Sequence, residues 1–360
     1  MGHRSAVNQN ISLTSILITI PVHDALAHTL DCLESLGQET QSKADVLIIN
    51  NGSSAETLAA LKKAFPQVEI ITQANLGYGA AANVGIAESV KRNYKYTWLL
   101  NSDTVVLPGA IGSITAFMDH PDHSRVGACS PVICRADDPN VIDFAGGWLN
   151  RSSWAVNHIG DPLVGEQALK FKPLATFLTG SALFIRNEAA VDVGMFDERF
   201  FMYWEDCDFS VRLVNRGWSL RLVPSATVLH SIQGTAGGYG NRSVFSSYYE
   251  SRNCFLLWRK HTDGYIKKLL TCMRMLQWIV RTFISRHIEP MTDQKRAVVE
   301  GVIDGVLGRY GKKARSLTCK QAQVVAFVLW YLVLPFRFVS DVSTMKVKNR
   351  SRPKPQLMAH

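Results

Sequence analysis

The residues best suited to chemistry in this chain are three carboxylates, Glu205, Asp206 and Asp208, set among Phe, Met, Tyr and Trp side chains in residues 200–212. Burial away from water raises the pKa of a carboxyl group, and a neighbouring carboxylate raises it further. Such a cluster can hold a general base that takes a proton from a hydroxyl group. Acidic residues also favour the first turn of a helix, and the apolar stripe that continues to Gly217 is typical of one. Both interpretations fit these residues.

The composition is that of an ordinary globular protein. The chain has 360 residues, of which 47% are hydrophobic and 19% charged, so it can bury a core. Its seven cysteines are scattered, without a C-x-x-C pair or a zinc-type cluster, and are typical of reduced thiols. The first ten residues lack an apolar stretch of signal-peptide length. We therefore expect the protein to act in the cytoplasm.

The net charge of +9 comes mainly from the last third of the chain. The cations there include Arg252, Arg259, Lys260, Lys267, Lys268, Arg274, Arg281, Arg286 and those of the tail at 346–354. A basic region needs an anionic partner, but the chain shows no zinc-finger spacing, basic heptad region or RNP-type motif for nucleic acid. Apolar stretches alternate with the cations, so the partner we expect is an anionic membrane leaflet.

Strands and helices alternate in the first hundred residues, and they decide where polar residues meet. Short β-rich apolar runs lie at 15–20, 44–49, 68–71 and 96–100. Helical stretches lie between them at 28–36, 55–64 and 80–92. This alternation predicts βαβ units with a parallel sheet, in which ligands bind at the carboxyl ends of the strands.

Polar turn residues follow each of these runs. They are Pro21-Val22-His23-Asp24, Asn50-Asn51-Gly52-Ser53, Asn75-Leu76-Gly77-Tyr78-Gly79 and Asn101-Ser102-Asp103. Any one of them is ordinary turn chemistry, because Asn, Asp and Gly are what turns require. Together, at one edge of a sheet, they predict a binding cleft, and we call these four segments the rim.

The turn at Gly77 also fits a G-x-G-x-x-A dinucleotide fingerprint, since Gly79 and Ala82 follow at the required spacing. Asp103 lies 24 residues beyond Gly79, close to the place of a ribose-binding acid. A nicotinamide-dependent oxidoreductase is therefore an alternative. The fingerprint normally follows the first strand, however, whereas two βα units precede it here.

Longer loops lead from the rim to the acidic cluster. Residues 177–185 predict a strand with a kink at 179–181, where Gly180 is either a bulge or a place where a ligand approaches the backbone. The other elements predicted in this part are a helix at 187–193 and strands at 219–223 and 228–230.

From residue 244 onward the chain is predicted to be helical. An aromatic face is formed by Tyr248, Tyr249, Phe255, Leu256 and Trp258, and an amphipathic helix by residues 269–284. Residues 324–336 are almost wholly apolar or aromatic but fall short of the roughly 20 residues that cross a bilayer. They predict either a buried helix or an interfacial one. The expected regions are a flexible start (1–13), a catalytic domain (14–243), a membrane-associating helical region (244–342) and a disordered tail (343–360).

The order of the motifs resembles that of the inverting GT-A glycosyltransferases of family 2, in particular the bacterial rhamnosyltransferase-like enzymes of O-antigen and cell-wall polysaccharide synthesis. The resemblance covers residues 14–262 and depends on the rim, the Trp-Glu-Asp-x-Asp-Phe stretch and the later His230. It implies an α/β fold of the GT-A type: a Rossmann-like, nucleotide-binding, mostly parallel mixed sheet flanked by helices, with a helical C-terminal extension.

The family pattern implies roles for the matching rim residues. Those implied for the nucleotide base are Pro21, Val22, Asp24, Asn50, Asn51 and Gly52, and those for the ribose and diphosphate are Asn75, Gly77, Tyr78, Gly79 and Asn83. Asn101, Ser102 and Asp103 complete the set implied for the nucleotide sugar. Asp103 is the last acid of the family's D-x-D, with Asn101 in place of the first. Asp103 and His230 would hold Mg²⁺ or Mn²⁺ together with donor phosphates. A structural histidine at a strand end is the alternative for His230.

The same pattern implies that Asp206 is the base that deprotonates the acceptor hydroxyl and that Glu205 is its partner. Asp208 would support the helix start and pair with Arg212 one turn on. The residues assigned to the acceptor side are Thr179, Gly180 and Trp204.

The substrates follow from the resemblance as well. The implied donor is dTDP-L-rhamnose, with a UDP- or GDP-sugar as the alternative. The implied acceptor is a polyprenyl-diphosphate-linked glycan, reached by a peripheral protein at the inner face of the cell membrane. A sugar-nucleotide-binding subunit without activity is disfavoured by the presence of Asp103, Asp206 and His230.

Overall fold

The computed structural model describes residues 15–39, 44–231, 243–279 and 291–333. Its strands are β1 (Ile16–Val22), β2 (Ala44–Asn51), β3 (Glu69–Gln73), β4 (Tyr96–Leu100), β5 (Thr104–Val106), β6 (Val126–Arg135), β7 (Ile142–Phe144), β8 (Gly147–Leu149), β9 (Val156–His158), β10 (Thr176–Phe177), β11 (Ala182–Arg186) and β12 (Ser219–His230). Its helices are α1 (Leu26–Glu39), α2 (Ala55–Ala64), α3 (Tyr78–Lys91), α4 (Ala110–Asp119), α5 (Pro162–Phe171), α6 (Asn187–Asp192), α7 (Glu205–Asn215), α8 (Val244–His261), α9 (Tyr265–Ile279), α10 (Asp293–Leu307) and α11 (Cys319–Val333).

Strands β1 to β4 form the parallel half of a mixed sheet, as the sequence predicts. The sheet runs β3-β2-β1-β4-β11-β6-β12-β5, and β7 pairs with β6. Alternate residues face opposite sides: Leu17 and Leu47 pack with Ala81 of α3, whereas Ile18 packs in the larger core with Leu36 of α1. Helices therefore cover both faces, which explains why these strands are continuously apolar.

The order β3-β2-β1-β4 places the point where the strand order reverses between β1 and β4. Both strands pair in parallel, so their carboxyl ends lie at the same edge of the sheet. In sheets of this type, ligands bind in the crevice outside that point. The rim follows these strand ends, so the fold places it at the expected crevice.

The second half of the sheet corrects two strand predictions. Residues 177–185 are not one strand, because β10 belongs to a small sheet with β8 and β9, whereas β11 lies between β4 and β6. Residues 178–181 cross from one sheet to the other, so Gly180 lies at a crossing and not in a bulge. The strands predicted at 219–223 and 228–230 are a single strand, β12, with an irregularity in its middle.

The helical region after residue 243 is confirmed, but the aromatic face of α8 is directed inward. Tyr248, Tyr249 and Phe255 are at most 2% exposed, and α8 packs against α9 and α10. The face that the sequence marks as aromatic is therefore part of the protein core.

Two cations of α8 are also used inside the protein. Arg252 is 1% exposed, and Lys260 forms ion pairs with Asp197 at 2.6 Å and Asp208 at 2.7 Å. These cations belong to the basic set from which the sequence predicts a membrane surface. Because they are buried or paired inside the protein, Arg252 and Lys260 are not part of a membrane surface.

Several predictions concern residues outside the described ranges. They are the flexible start at 1–13, the tail at 343–360, and the ends of the stretches at 269–284 and 324–336. Where they are described, the latter two stretches are helical, in α9 and α11. Within the described parts of the chain, no helix has both the length and the apolar character needed to span a membrane.

Candidate active site

The rim forms at the carboxyl ends of the parallel strands, and Asn51 is its main tie. The side chain of Asn51 accepts the N–H of Leu76 at 3.3 Å and donates to the carbonyl of Gly77 at 3.2 Å. It also contacts the side chain of Asn75 at 3.4 Å. Asn75 in turn reaches His23, at the end of β1, at 3.4 Å. The segments after β1, β2 and β3 are therefore joined by hydrogen bonds.

Asp24 ties the first rim segment to the start of α2. Its Oδ1 accepts the N–H of Ser54 at 2.7 Å and the hydroxyl of Thr57 at 3.3 Å. The bond from Ser54 lowers the pKa of Asp24 below its ordinary value, because it stabilises the carboxylate. Asn50 is buried and accepts the N–H of Ser53 at 2.8 Å. Both side chains shape the turn that joins β2 to α2.

Three further residues predicted for the nucleotide base lie in the first two rim segments. Pro21 and Val22 end β1, and Val22 is buried. Gly52 has a φ of +85°, and a Cβ there would lie 2.9 Å from the backbone nitrogen of Asn75. A glycine is therefore required where the second rim segment turns beside the third.

Gly77 is the point where the rim meets residues 200–208, which we call the acidic segment. Its φ is +99°, and a Cβ there would lie 2.2 Å from the carbonyl oxygen of Phe201. The N–H of Tyr78 donates to the same carbonyl at 2.6 Å. The start of α3 therefore lies directly against the acidic segment.

Asn83 and Gly79 of α3 face the loop that leads into the acidic segment. The amide of Asn83 donates to the carbonyl of Phe196 at 3.0 Å and to Glu198 at 2.9 Å, and accepts the N–H of Phe196 at 2.9 Å. A Cβ at Gly79 would lie 3.4 Å from the Cβ of Phe196 and 3.9 Å from that of Glu205. Both residues thus contact protein on the acidic side of the cleft.

Asp103 and His230 are brought together by the pairing of β5 with β12, which sets His230 opposite Thr104. Oδ1 of Asp103 lies 3.1 Å from Nε2 of His230, and the amide of Asn101 lies 3.4 Å from the same nitrogen. Ser102 connects Asn101 to Asp103 at the partly exposed end of the rim. Among the described residues, no group of three or more His, Cys, Asp and Glu side chains could hold a metal ion. A carboxylate and an imidazole in contact fit a divalent ion only where a substrate or water adds further ligands.

Asp206 contacts Gly180, one of the residues predicted for the acceptor side. The N–H of Gly180 donates to Oδ2 of Asp206 at 3.0 Å, and its carbonyl accepts the hydroxyl of Tyr78 at 2.7 Å. A Cβ at Gly180 would lie 3.2 Å from the Tyr78 ring. Thr179 precedes this contact, and Trp204 begins α7 with a φ of +74°. The structure thus joins the rim, the crossing and the acidic segment at one place.

Glu205 and Asp206 form a coupled carboxyl pair in which the environments differ. Glu205 is 6% exposed, and its Oε2 has no hydrogen-bond partner among the described residues. Burial, together with the charge of Asp206, raises the pKa of Glu205 well above its ordinary value. Burial also raises the pKa of Asp206, but Asp206 accepts N–H bonds from Gly180 and from Cys207, the latter at 2.7 Å. Because these donors favour the charged form, a proton shared by the pair belongs on Glu205 and Asp206 is the carboxylate.

Comparison with known proteins identifies the family. The model of the family described as Glycosyl transferase family 2 matches residues 17–187. An N-acetylglucosaminyl-diphospho-decaprenol L-rhamnosyltransferase of Mycobacterium tuberculosis is 31% identical over 268 residues, which are 68% of this chain and 85% of that protein. The chain belongs to glycosyltransferase family 2. It is therefore an enzyme, and the resemblance inferred from the motifs is confirmed.

Further comparisons describe this glycosyltransferase. The dTDP-rhamnosyl transferase RfbF of Shigella flexneri is 24% identical over 251 residues, 65% of this chain and 77% of that protein. The crystal structure of GalNAc-T7 with UDP, GalNAc and Mn²⁺ matches with a TM-score of 0.50 and 15% identity, over 73% of this chain and 54% of that one. This chain therefore spans about half of that protein, and the likeness bears on the fold alone. The predicted GT-A fold is confirmed.

Asp208 of the glycosyltransferase does more than support the start of α7. Its predicted pair with Arg212 is present at 2.7 Å. Lys260 and His261 also contact it, each at 2.7 Å, and the Asp208 side chain is fully buried. Asp208 therefore joins α7 to α8, a role that the spacing of acids in the sequence does not indicate.

Sequence reasoning also missed His158, whose charge acts on Asp206. It ends β9, where its ring meets Phe144 edge-on at 5.0 Å and its Nδ1 lies 3.7 Å from Asp143. Burial is the main influence on the pKa of Asp206, and His158 is one of the groups that oppose it. No periodic pattern marks the three-residue strand β9, so the sequence offered no signal for this neighbour.

Proposed function

We propose that the enzyme transfers L-rhamnose from dTDP-L-rhamnose to a lipid-linked glycan, with inversion at the anomeric carbon, in bacterial cell-surface polysaccharide or O-antigen synthesis. The observation that carries the chemistry is the Asp206 carboxylate, held by Gly180 beside a rim that ends in Asp103. The donor and acceptor are inferred from relatives named as a dTDP-rhamnosyl transferase and as an L-rhamnosyltransferase that acts on N-acetylglucosaminyl-diphospho-decaprenol.

The carboxyl pair supplies the base that this reaction needs. Asp206 accepts the proton of the acceptor hydroxyl while the hydroxyl oxygen attacks the anomeric carbon. The bond from that carbon to the phosphate oxygen breaks, and the nucleoside diphosphate leaves with the bonding electrons. Attack from the face opposite the leaving group inverts the centre. Burial and the charge of Asp206 favour the protonated form of Glu205, and in that form its Oε2 donates a hydrogen bond to a substrate hydroxyl.

Asp103 and His230 are the residues that would hold Mg²⁺ or Mn²⁺. The contact of carboxylate and imidazole, with the amide of Asn101 beside it, supplies the protein part of a coordination sphere. A sugar nucleotide adds phosphate oxygens, and the ion would neutralise the charge that develops on the leaving diphosphate. The imidazole favours Mn²⁺, which is also present in the GalNAc-T7 structure.

The rim residues divide into groups that face the donor and groups that support them. The residues that we assign to the nucleotide base of the donor are Pro21, Val22, Asp24 and Gly52. Those that we assign to its ribose and diphosphate are Asn75, Gly77, Tyr78, Gly79 and Ser102. The supporting group is Asn50, Asn51 and Asn83, whose amides bond to neighbouring turns. Each of these amides can donate and accept, so we assign them to holding the rim and not to contacting the donor.

The surface that suits membrane attachment lies on α9 and α11, which pack together. On α9, Tyr265 and Ile266 are 84% and 73% exposed, and on α11, Val324 and Phe327 are 65% and 55% exposed. Exposed cations on the same helices are Lys267, Arg274 and Lys320. Apolar side chains among cations favour an anionic leaflet, where the lipid-linked acceptor lies.

A donor screen tests the proposed reaction. Release of nucleoside diphosphate is measured with dTDP-L-rhamnose, UDP-hexoses and GDP-mannose, with an N-acetylglucosaminyl-diphospho-polyprenol acceptor and with Mn²⁺, Mg²⁺ or EDTA. We expect release only with dTDP-L-rhamnose, and loss of release in EDTA. Release with a UDP- or GDP-sugar instead would replace the donor, and full activity in EDTA would remove the metal from the proposal.

Vesicle flotation tests the proposed membrane surface. We expect the protein to float with phosphatidylglycerol vesicles and the Ile266→Ser variant to bind them more weakly. Val191→Ser is the matched control, because Val191 is 52% exposed on α6, a helix that carries none of the residues of this surface. Equal losses in both variants, or no binding of the wild type, would contradict the assignment.

A further inference from the structure

The backbone that leads into the carboxyl pair adopts unfavourable angles. Phe201, Tyr203 and Trp204 have φ values of +65°, +66° and +74°. Residues other than glycine disfavour positive φ values, so a run in which several of them lie close together keeps this conformation only where the surrounding protein holds it. Glu205 follows immediately, so any relaxation of this run would move the pair.

Asn253 of α8 is the residue that holds this run. Its Nδ2 donates to the carbonyls of Phe200, Met202 and Tyr203 at 2.9, 2.8 and 2.8 Å. Asn253 is fully buried. The two hydrogens of this amide are shared among three carbonyls. These bonds fix the path of the chain around Asn253.

Neighbouring contacts hold the other side of the same run. Arg252 donates to the carbonyl of Phe200 at 2.6 Å and to the carbonyl of Gly311. The ring of Phe201 stacks on Tyr249 of α8 at 5.1 Å. On the opposite side, the Phe201 carbonyl accepts the N–H of Tyr78. The run is therefore held between α8 and the start of α3.

We propose that Asn253 is a positioning residue for transfer: by holding the carbonyls of residues 200–203, it sets the direction in which Glu205 and Asp206 enter the cleft. The proposal rests on the proposed function in assigning the base to Asp206. The Asn253 amide bonds to backbone carbonyls of residues 200–203 and not to the carboxyl groups of Glu205 or Asp206. Its effect reaches the reaction through the backbone, and misplacing a catalytic group by about 1 Å can cost about a hundredfold in rate.

Two substitutions and a matched control test this role. Asn253→Asp keeps the shape but turns an oxygen toward three carbonyls, and Asn253→Ala removes the amide without adding charge. The control is Ser251→Ala, because Ser251 is as buried on the same helix but bonds to Ser247, Tyr248 and Val298 and not to the acidic segment. All three variants lose buried hydrogen bonds of α8.

The expected result separates positioning from general stability. Both Asn253 variants should lower kcat by about tenfold to a hundredfold while the donor KM stays within about threefold. Amide hydrogen exchange should become faster in a peptide covering 200–208. Ser251→Ala should retain near-normal kcat and normal exchange in that peptide, even where its Tm falls as far as that of Asn253→Ala.

Different results would contradict the positioning role of Asn253 and the proposed transfer reaction. Normal kcat and normal exchange in Asn253→Ala would overturn the positioning role, as would equal losses of kcat in Asn253→Ala and Ser251→Ala. A wild-type protein that transfers no sugar would overturn the proposed function. Hydrogen exchange would then still decide whether Asn253 holds the acidic segment, because that measurement needs no substrate.

Discussion

The rim and the acidic segment contact each other but are held in place differently. Asn51 and Asp24 tie the rim across neighbouring turns, between elements that follow one another in the chain. The acidic segment is held by Asn253 and His261 of α8, 50 and 53 residues after their partners. The first three rim segments are thus tied within one region, whereas the acidic segment depends on the helical region that follows the sheet.

This difference predicts where substitutions act. Changes in the rim should alter donor binding and appear mainly in KM. Changes in the acidic segment, or in the α8 residues that hold it, should alter the direction and charge of the base and appear mainly in kcat. Each substitution below tests one side of this division.

The largest effect is expected for Asp206→Asn. The amide keeps the shape of the side chain but cannot accept the acceptor proton, so kcat should fall by about 10²–10⁴-fold. Nucleoside diphosphate release under saturating donor measures it. Unchanged transfer would remove Asp206 from the role of base.

Asp24→Asn is the matched change on the rim. Its amide oxygen can still accept the N–H of Ser54, so only the carboxylate charge is lost. We expect a higher donor KM with kcat within about threefold of wild type. A fall in kcat as large as that of Asp206→Asn would break the division between rim and acidic segment.

The next effect is expected at the joint between α7 and α8. Asp208→Asn leaves Lys260 and Arg212 without their buried partner, which should lower the free energy of unfolding by about 3–5 kcal/mol. Urea unfolding at pH 7 measures the loss. Asp122→Asn is a suitable control, because that carboxylate is on the surface, with its side chain 86% exposed.

The pH dependence of stability offers a second measurement on Asp208. Burial opposes its charge, but His261, Arg212 and Lys260 outweigh burial and hold the pKa of Asp208 below its ordinary 3.8. A carboxyl group whose pKa is lowered on folding contributes stability above its unfolded pKa, and the contribution is lost as the pH falls through the folded value. The difference in unfolding free energy between wild type and Asp208→Asn should therefore shrink as the pH falls below about 4.

A smaller effect is expected where the two regions touch. Gly77→Ala places a methyl group against the carbonyl of Phe201 and imposes a positive φ on alanine. The loss of unfolding free energy should exceed the about 1–2 kcal/mol that the left-handed helical region costs a residue other than glycine, because Gly77, with φ +99° and ψ +170°, lies in a region that only glycine adopts readily. Gly109→Ala measures the left-handed cost without a clash, because Gly109 has φ +84° and ψ −5° and a Cβ there would meet no atom within 4 Å. Equal losses would show that the contact with Phe201 is unimportant.

The division between the two regions also describes what the sequence could predict. The helix at 55–64 and the strands that carry the rim follow from apolar periodicity and turn residues, which are local signals. The pairing of Asp103 with His230 was also expected, because the family motif holds both residues. The contact itself depends on the pairing of β5 with β12.

Long-range contacts account for what sequence reasoning missed. A basic, aromatic helix after residue 243 predicts a membrane surface, but Arg252 and Tyr249 are buried against the acidic segment. Composition cannot distinguish a cation that faces lipid from one that bonds to a backbone carbonyl. The stretch predicted as one strand at 177–185 is divided where Gly180 bonds to both Asp206 and Tyr78. These partners are far away in the sequence, so no local pattern predicts the division.

The smallest effect is expected for Glu205→Gln, which tests which carboxyl group of the pair carries the negative charge. Burial and the charge of Asp206 raise the pKa of Glu205 and so favour its neutral form, and glutamine preserves both the shape of that form and its ability to donate. We expect kcat to fall by less than about tenfold.

The pH profile tests the same assignment of charges. Asp206 must be ionised to act as the base, and burial raises its pKa, so kcat/KM should fall on acidification at a pH above the pKa of an ordinary aspartate. This acidic limb should lie at the same pH in wild type and Glu205→Gln. A limb that moves to lower pH in the variant would show that Glu205 carries the negative charge, and the proton would then have to be placed on Asp206.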